Sequence, residues 1–188
     1  MLKIDSGGAR PGRRPLKLWI ACIAVIFICC CVVIICCRWC RSDPITTVLL
    51  VRHAEAKRIE GDLTLEGQIR AKVLAHVAGK AELDAIYITD ILRTQQTAAQ
   101  LASVTNLEPI QMPSANPQAV VNDILTNHAG GRVMVVGHSD TVPQIIELLG
   151  GPTGIGLTMN EYDNLFVLTR CGHRVRLVEL HYGNPTPP

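Results

Sequence analysis

From residue 45 onward, short apolar runs alternate with longer stretches in which apolar positions recur every three or four residues. The first run, Ile45 to Val51, holds seven consecutive β-branched or aliphatic residues, which predicts a strand covered on both faces in a mostly parallel sheet. Thr64 can cap a helix whose apolar positions Ile69, Val73, Leu74 and Val77 follow at helical spacing to about Gly79. Ala85 to Ile88 predicts a short strand, and Leu92 to Leu101 a helix of good formers. A helix over Pro117 to His128 ends at Gly130-Gly131, a strand over Val133 to Val136 leads into Gly137-His138-Ser139-Asp140, and Thr141 to Leu149 is helical. Leu165 to Thr169 and Val175 to Leu180 flank a turn at Cys171-Gly172 and predict a closing hairpin. The order βαβαβα with a terminal hairpin is that of an α/β sandwich.

A different pattern precedes it. Leu18 to Cys37 is twenty positions without a charge, and a helix of that length spans about 30 Å, the thickness of a bilayer core. Eleven of the twenty are Leu, Ile, Phe or Val, which favours insertion by roughly 3 to 7 kcal/mol. The expectation is one transmembrane helix. Lys3, Arg10, Arg13, Arg14 and Lys17 precede it and Arg38 and Arg41 follow, so the basic side is expected in the cytoplasm and the domain outside it, in a periplasm-like compartment. Arg38-Trp39-Cys40-Arg41 offers no small-residue cleavage site, which favours an uncleaved anchor over a signal peptide. The expected layout is a basic cytoplasmic segment (1–17), the membrane helix (18–37), a linker (38–44), an α/β domain (45–183) and a flexible tail (184–188).

Charge and cysteine divide at the same place. Residues 1–42 carry seven Lys/Arg against one acid, leaving eleven against fifteen in residues 43–188, so the domain is net −4. That balance argues against nucleic acid, which needs a basic face, and directs the basic flanks of the helix to membrane lipid. Seven of the eight cysteines lie in or beside the apolar helix and Cys171 alone in the domain, whose fold therefore needs no internal disulfide. No Cys/His spacing in the domain is that of a zinc site.

The chemistry gathers at strand ends. Ligands of parallel sheets bind at the carboxyl ends of strands. Arg52-His53 follows the first strand, Arg93 the second and His138 the Val133 to Val136 strand, so the four side chains can meet at one edge. Arg52 and His53 alone could equally be a surface pair at a strand end. Two guanidiniums beside an imidazole form an anion clamp next to a nucleophile, each opposite-charge contact worth about 4 kcal/mol at about 4 Å in a medium of dielectric near 20. Their positive field is expected to hold His53 neutral. His76, His128, His173 and His181 have no partner at ligand spacing and are expected to serve packing or surface. The glycine-rich Gly150 to Gly156 lacks the Lys-Ser/Thr of a phosphate loop and is expected to be a loop near the pocket mouth.

Arg52-His53-Ala54, Leu63-Thr64-Leu65-Glu66-Gly67, Leu92-Arg93-Thr94-Gln95-Gln96-Thr97-Ala98 and Val136-Gly137-His138-Ser139 together resemble the histidine phosphatase superfamily, the group that includes cofactor-dependent phosphoglycerate mutase. The resemblance covers residues 46 to about 180, with Ala54 where the signature has Gly. It implies a three-layer α/β/α sandwich with a mostly parallel central sheet, preceded here by the transmembrane helix. It also implies a metal-independent phosphatase without a cofactor, with His53 taking the phosphoryl group, Arg52 and Arg93 holding it, and His138 completing the pocket.

The proton donor departs from the family pattern. The segment Pro109 to Pro117, where the mutase-like branch carries a Glu, has no acid, and Ser139 stands where the acid-phosphatase branch has Asp. Asp140 and Glu55 are the acids left near the pocket, and Glu55 has a competing role in orienting Arg52 or its own strand end. Without a donor, phosphoramidates and phosphoanhydrides become favoured substrates. The compact phosphohistidine phosphatases of this superfamily also lack the usual acid. Two functions stay open: an enzyme acting on a phosphorylated small molecule, sugar or glycolipid, or a degenerate phosphate-binding sensor or scaffold. The chain does not specify an oligomeric state.

Overall fold

The computed structural model describes residues 43–58 and 61–186, together with 23, 26, 27 and 29–32. The chain divides into two compact units, Met1–Ser42 and Asp43–Pro188. In the first, the described residues are helical. The expected basic segment, the remainder of the expected membrane helix and the linker up to residue 42 lie outside the described residues. Among the described residues, no helix is long and apolar enough to cross a membrane.

The second unit carries six strands and four helices among its described residues: β1 (Ile45–Arg52), α1 (Leu65–Ala78), β2 (Ala85–Thr89), α2 (Leu92–Thr105), β3 (Ile110–Met112), α3 (Pro117–Asn127), β4 (Arg132–Gly137), α4 (Thr141–Leu148), β5 (Asn164–Cys171) and β6 (Arg174–His181). They form a single mixed sheet in the order β3-β2-β4-β1-β5-β6. The first four of these strands run parallel, while β5 pairs antiparallel with both β1 and β6. β3 was not anticipated, because three half-buried or exposed residues give no alternation to read.

Strand parity distributes the core. Val48 and Leu50 face one way with Tyr87, Val133, Val135 and Phe166, against α3 and α4. Leu49 and Val51 face the other way with Ile86, Ile88, Met134 and Val136, against α1 and α2. A strand whose alternate residues are buried on opposite faces must be apolar throughout, which is why β1 shows no polar alternation. The result is the three-layer α/β/α sandwich expected, its four parallel strands extended at one edge by the antiparallel pair β5 and β6.

Helix ends match their local chemistry. Thr64 caps α1 by accepting from the Gly67 amide at 3.2 Å, and Asn116 caps α3 ahead of Pro117 by accepting from the Ala119 amide at 3.1 Å; such caps contribute about 1 kcal/mol each. Gly67 is required by close approach, since an added Cβ would fall 2.1 Å from the Glu55 carbonyl oxygen. That contact ties the start of α1 to the chain just beyond β1.

Residues 184–186, the described part of the expected tail, make hydrogen bonds to the domain. Tyr182 is buried, Arg70 donates to the Tyr182 and Asn184 carbonyls at 2.8 and 2.9 Å, and Thr186 is bonded to Asp163 and Tyr162. The acceptors are backbone carbonyls and a hydroxyl, which a Pro-rich composition does not advertise.

Candidate active site

Sheet order brings the three strand ends together, because β2, β4 and β1 are consecutive neighbours. Arg52 is level with Gly137, and Ile88 with Val136. The His53 amide donates to the Gly137 carbonyl at 2.9 Å, extending the pairing one residue past the strand. His53 and His138 leave adjacent strands at nearly the same height, with ring centroids 5.3 Å apart and planes at 62°. Arg93 reaches in from the first turn of α2, its Nη2 lying 3.5 Å from His138 Nδ1. All four residues line one open cleft with Ile91, Ser114, Ala115, Ser139, Asp140, Thr141 and Met159.

Each imidazole is oriented by a second group. His53 Nδ1 lies 2.8 Å from the Ala54 carbonyl oxygen. A carbonyl can only accept, so Nδ1 carries the proton and Nε2 keeps its lone pair. His138 Nε2 lies 3.1 Å from Thr89 Oγ1, which is 2.8 Å from Thr94 Oγ1, and the Thr94 hydroxyl donates to the Ile91 carbonyl at 2.7 Å. Reading back from that carbonyl, each hydroxyl donates to the next and His138 donates from Nε2.

Both histidines are buried, and burial is the leading cause of their depressed pKa values. His53 falls to about 3, with the Ala54 bond opposing and Arg52, Arg93 and His138 adding to the shift. His138 falls to about 4, lowered further by Arg93 and Arg52 and partly restored by Asp140 and Asp90. The arginine field was expected to dominate at His53; it contributes, but loss of water contributes more.

Arg52 is buried, and among the described residues no carboxylate lies at ion-pair distance from it. Its Nη1 donates to the carbonyls of Thr158, Met159 and Glu161 at 2.9, 3.0 and 3.0 Å, and its guanidinium lies 4.1 Å from the centre of the Tyr162 ring. Its Nε is buried and has no hydrogen-bond partner among the described residues. Desolvation lowers the Arg52 pKa from its ordinary value, against the opposing pull of Tyr162.

The two acids separate. Asp140 lines the cleft and caps α4, with Oδ1 accepting from the Thr141 amide at 2.9 Å. Glu55 does not orient Arg52: its carboxylate is bound by Arg70 at 2.8 to 3.0 Å, and it lines a different pocket with Asn160, Tyr162 and residues 183–186. One peptide beyond the expected pocket edge, the chain has already turned toward α1. Gly150 to Gly156 does not line the cleft either; Ile155 and Leu157 pack on the core, and the continuation from Thr158 to Tyr162 reaches the site. Among the described residues, no group of three or more His, Cys, Asp or Glu is placed to hold a metal ion. Thr89, Met159 and Tyr162 were missed, since nothing in their sequence surroundings marks them as neighbours of Arg52 or His138.

Residues 48–116, which include Arg52, His53 and Arg93, match the family model described as "Histidine phosphatase superfamily (branch 1)". Phosphoserine phosphatase 1 of Hydrogenobacter thermophilus is 38% identical over 73 residues, covering 34% of this chain and 35% of that protein. The chain thus matches about a third of that relative's length. Among solved structures, mycobacterial glucosyl-3-phosphoglycerate phosphatase in complex with inorganic phosphate superposes with a TM-score of 0.59 at 18% identity, covering 70% of this chain and 95% of that one. The protein histidine phosphatase SixA complexed with tungstate gives 0.54 at 18% identity, covering 72% and 96%. At these identities the structural likeness is one of fold.

Proposed function

We propose that this chain belongs to the histidine phosphatase superfamily, a reading that the family match over residues 48–116 supports, and that it hydrolyses a phosphoryl compound through a phosphohistidine on His53. The observation that carries the reading is a neutral His53, its Nδ1 committed to Ala54, in one cleft with Arg52 and Arg93. In the first step Nε2 attacks phosphorus, forming an N–P bond as the bond to the leaving group breaks. The proton stays on Nδ1, which donates it in a hydrogen bond to the Ala54 carbonyl, and this bond stabilises the positive ring. Arg52 and Arg93 hold the phosphoryl oxygens and supply the charge that the transferring group needs, with His138 completing the pocket beside them. Water then attacks phosphorus, breaking the N–P bond and releasing phosphate with neutral His53.

Asp140 is the carboxylate lining the cleft, and it serves as proton donor to the departing atom, while the protons of the attacking water stay on the released phosphate. Asp140→Asn is expected to lower kcat on an alkyl phosphate by about a hundredfold while changing hydrolysis of an aryl phosphate or phosphohistidine by less than about threefold, because good leaving groups depart unprotonated. An equal loss on all three substrates would remove Asp140 from this role. The substrate is a phosphorylated small molecule, sugar or glycolipid, and the relatives' names, covering phosphoserine, a glucosyl phosphoglycerate and phosphohistidine, support phosphoryl chemistry over any one leaving group.

The same proposal has residues 18–37 as a single membrane span and residues 45–183 as a domain outside the cytoplasm. Its support is the uncharged stretch and the basic excess ahead of it. Protease added to intact spheroplasts is expected to digest the domain; full protection until lysis would reverse or remove the topology. The test of the activity is incubation of the full-length protein in detergent with aryl phosphate and phosphohistidine. Phosphate binding without turnover on either would leave a sensor or scaffold in place of an enzyme.

A further inference from the structure

Arg52 keeps its charge available because nothing anionic is paired with it, and this makes its position a problem. A carboxylate would orient the guanidinium but neutralise it; here three carbonyls and the face of Tyr162 orient it instead. Those groups come from an irregular segment, residues 158–162, which no strand ladder or helix holds in place. What holds it is the segment after β6. The Tyr162 amide donates to Thr186 Oγ1 at 3.1 Å, and the Thr186 hydroxyl is in turn bonded to the Asp163 carboxylate. The Tyr182 amide donates to the Asp163 carbonyl at 2.9 Å, and His181 Nδ1 lies 3.3 Å from Asp163 Oδ2.

Arg70 binds the Tyr182 and Asn184 carbonyls and closes on Glu55, two residues past His53. A ring of polar contacts therefore leaves the β1 tip at Glu55, passes through Arg70, the post-β6 segment, Thr186 and Tyr162, and returns to β1 at Arg52. We propose that Tyr162 is a positioning residue for Arg52, held in register by Thr186 from the segment after β6. The proposal rests on the reading above that Arg52 holds the phosphoryl group. Tyr162 also lies against the nucleophile, its ring centroid 5.9 Å from that of His53, so the same brace borders both members of the pair.

The test uses the full-length protein in detergent, with inorganic phosphate as ligand, measured by titration calorimetry and as a competitor of aryl phosphate hydrolysis. Thr186→Val and Tyr162→Leu are each expected to weaken phosphate binding about tenfold with little change in Tm, since a misplaced clamp loses affinity before the fold is affected. Tyr162→Phe, which keeps the ring, is expected to restore most of the loss. In an Arg52→Ala background Thr186→Val should add less than about twofold, because the two then act through one group. Phosphate affinity within about twofold of wild type for both Thr186→Val and Tyr162→Leu would overturn the proposal, as would a full additional loss on top of Arg52→Ala. If Arg52→Ala itself leaves phosphate binding unchanged, the assignment of Arg52 to phosphate fails first, and the brace fails with it.

Discussion

His53→Ala is expected to reduce turnover of an aryl phosphate by at least about a thousandfold while phosphate still binds, because it deletes the bond-forming atom and spares the clamp. In the wild-type protein, rapid acid-free quench during turnover should trap phosphate on a histidine and on no serine. The same variant assigns the His53 ring resonance by its disappearance, which opens a second measurement. With a pKa near 3 that ring should remain neutral as pH falls from 8 to 5, whereas a solvated imidazole protonates around 6.5. The sign follows from burial: removing water penalises the charged form, so the nucleophile is unprotonated across that range. Retained turnover in His53→Ala, or a ring that titrates near 6.5, would defeat the assignment.

The second large effect concerns stability. Glu55→Ala leaves the Arg70 guanidinium, buried in the wild-type protein, with two carbonyls and no carboxylate in contact among the described residues. Breaking such a pair from one side costs about 3 kcal/mol or more, so loss of near-UV dichroism on heating should move down by about 6 to 12 °C in a protein of this size. Glu55→Ala combined with Arg70→Met should recover much of the loss, because an apolar side chain of similar length removes the stranded charge. A single variant with unchanged Tm would show that water reaches the pair and that the contact is energetically idle. The experiment also bears on the site, since Arg70 is a link between the post-β6 segment and the strand that carries Arg52 and His53.

The two acids illustrate what spacing can and cannot tell. Glu55 stands two residues from the nucleophile and Asp140 two residues from His138, so proximity in the chain ranks them alike. The structure separates them because β1 is followed by a turn that packs its backbone on Gly67, taking Glu55 to Arg70, whereas β4 runs directly into a helix whose capping residue must sit at the cleft. Local propensity cannot choose between these outcomes; the choice depends on what the next element packs against.

The three-layer class rested on the family resemblance; sequence alone determined the alternation of strands and helices and the four residues at strand ends. Each of these follows from short-range physics: an apolar run must be buried, a capped periodic stretch must be helical, and a residue after a strand must emerge at its tip. The long uncharged stretch at residues 18–37 is likewise a property of composition, and it remains a proposal about the membrane. Tertiary structure decided the rest: that β2, β4 and β1 lie side by side and bring Arg93, His138, Arg52 and His53 into one cleft, and that burial more than the arginine field holds His53 neutral. It also decided that residues 184–186, composed like a frayed end, close a ring of contacts around the clamp. The partners in that ring are more than a hundred residues apart in places, as Arg70 and Asn184 are. Hydrogen bonds between side chains and distant carbonyls leave no periodicity in a sequence, and only the folded chain brings them together.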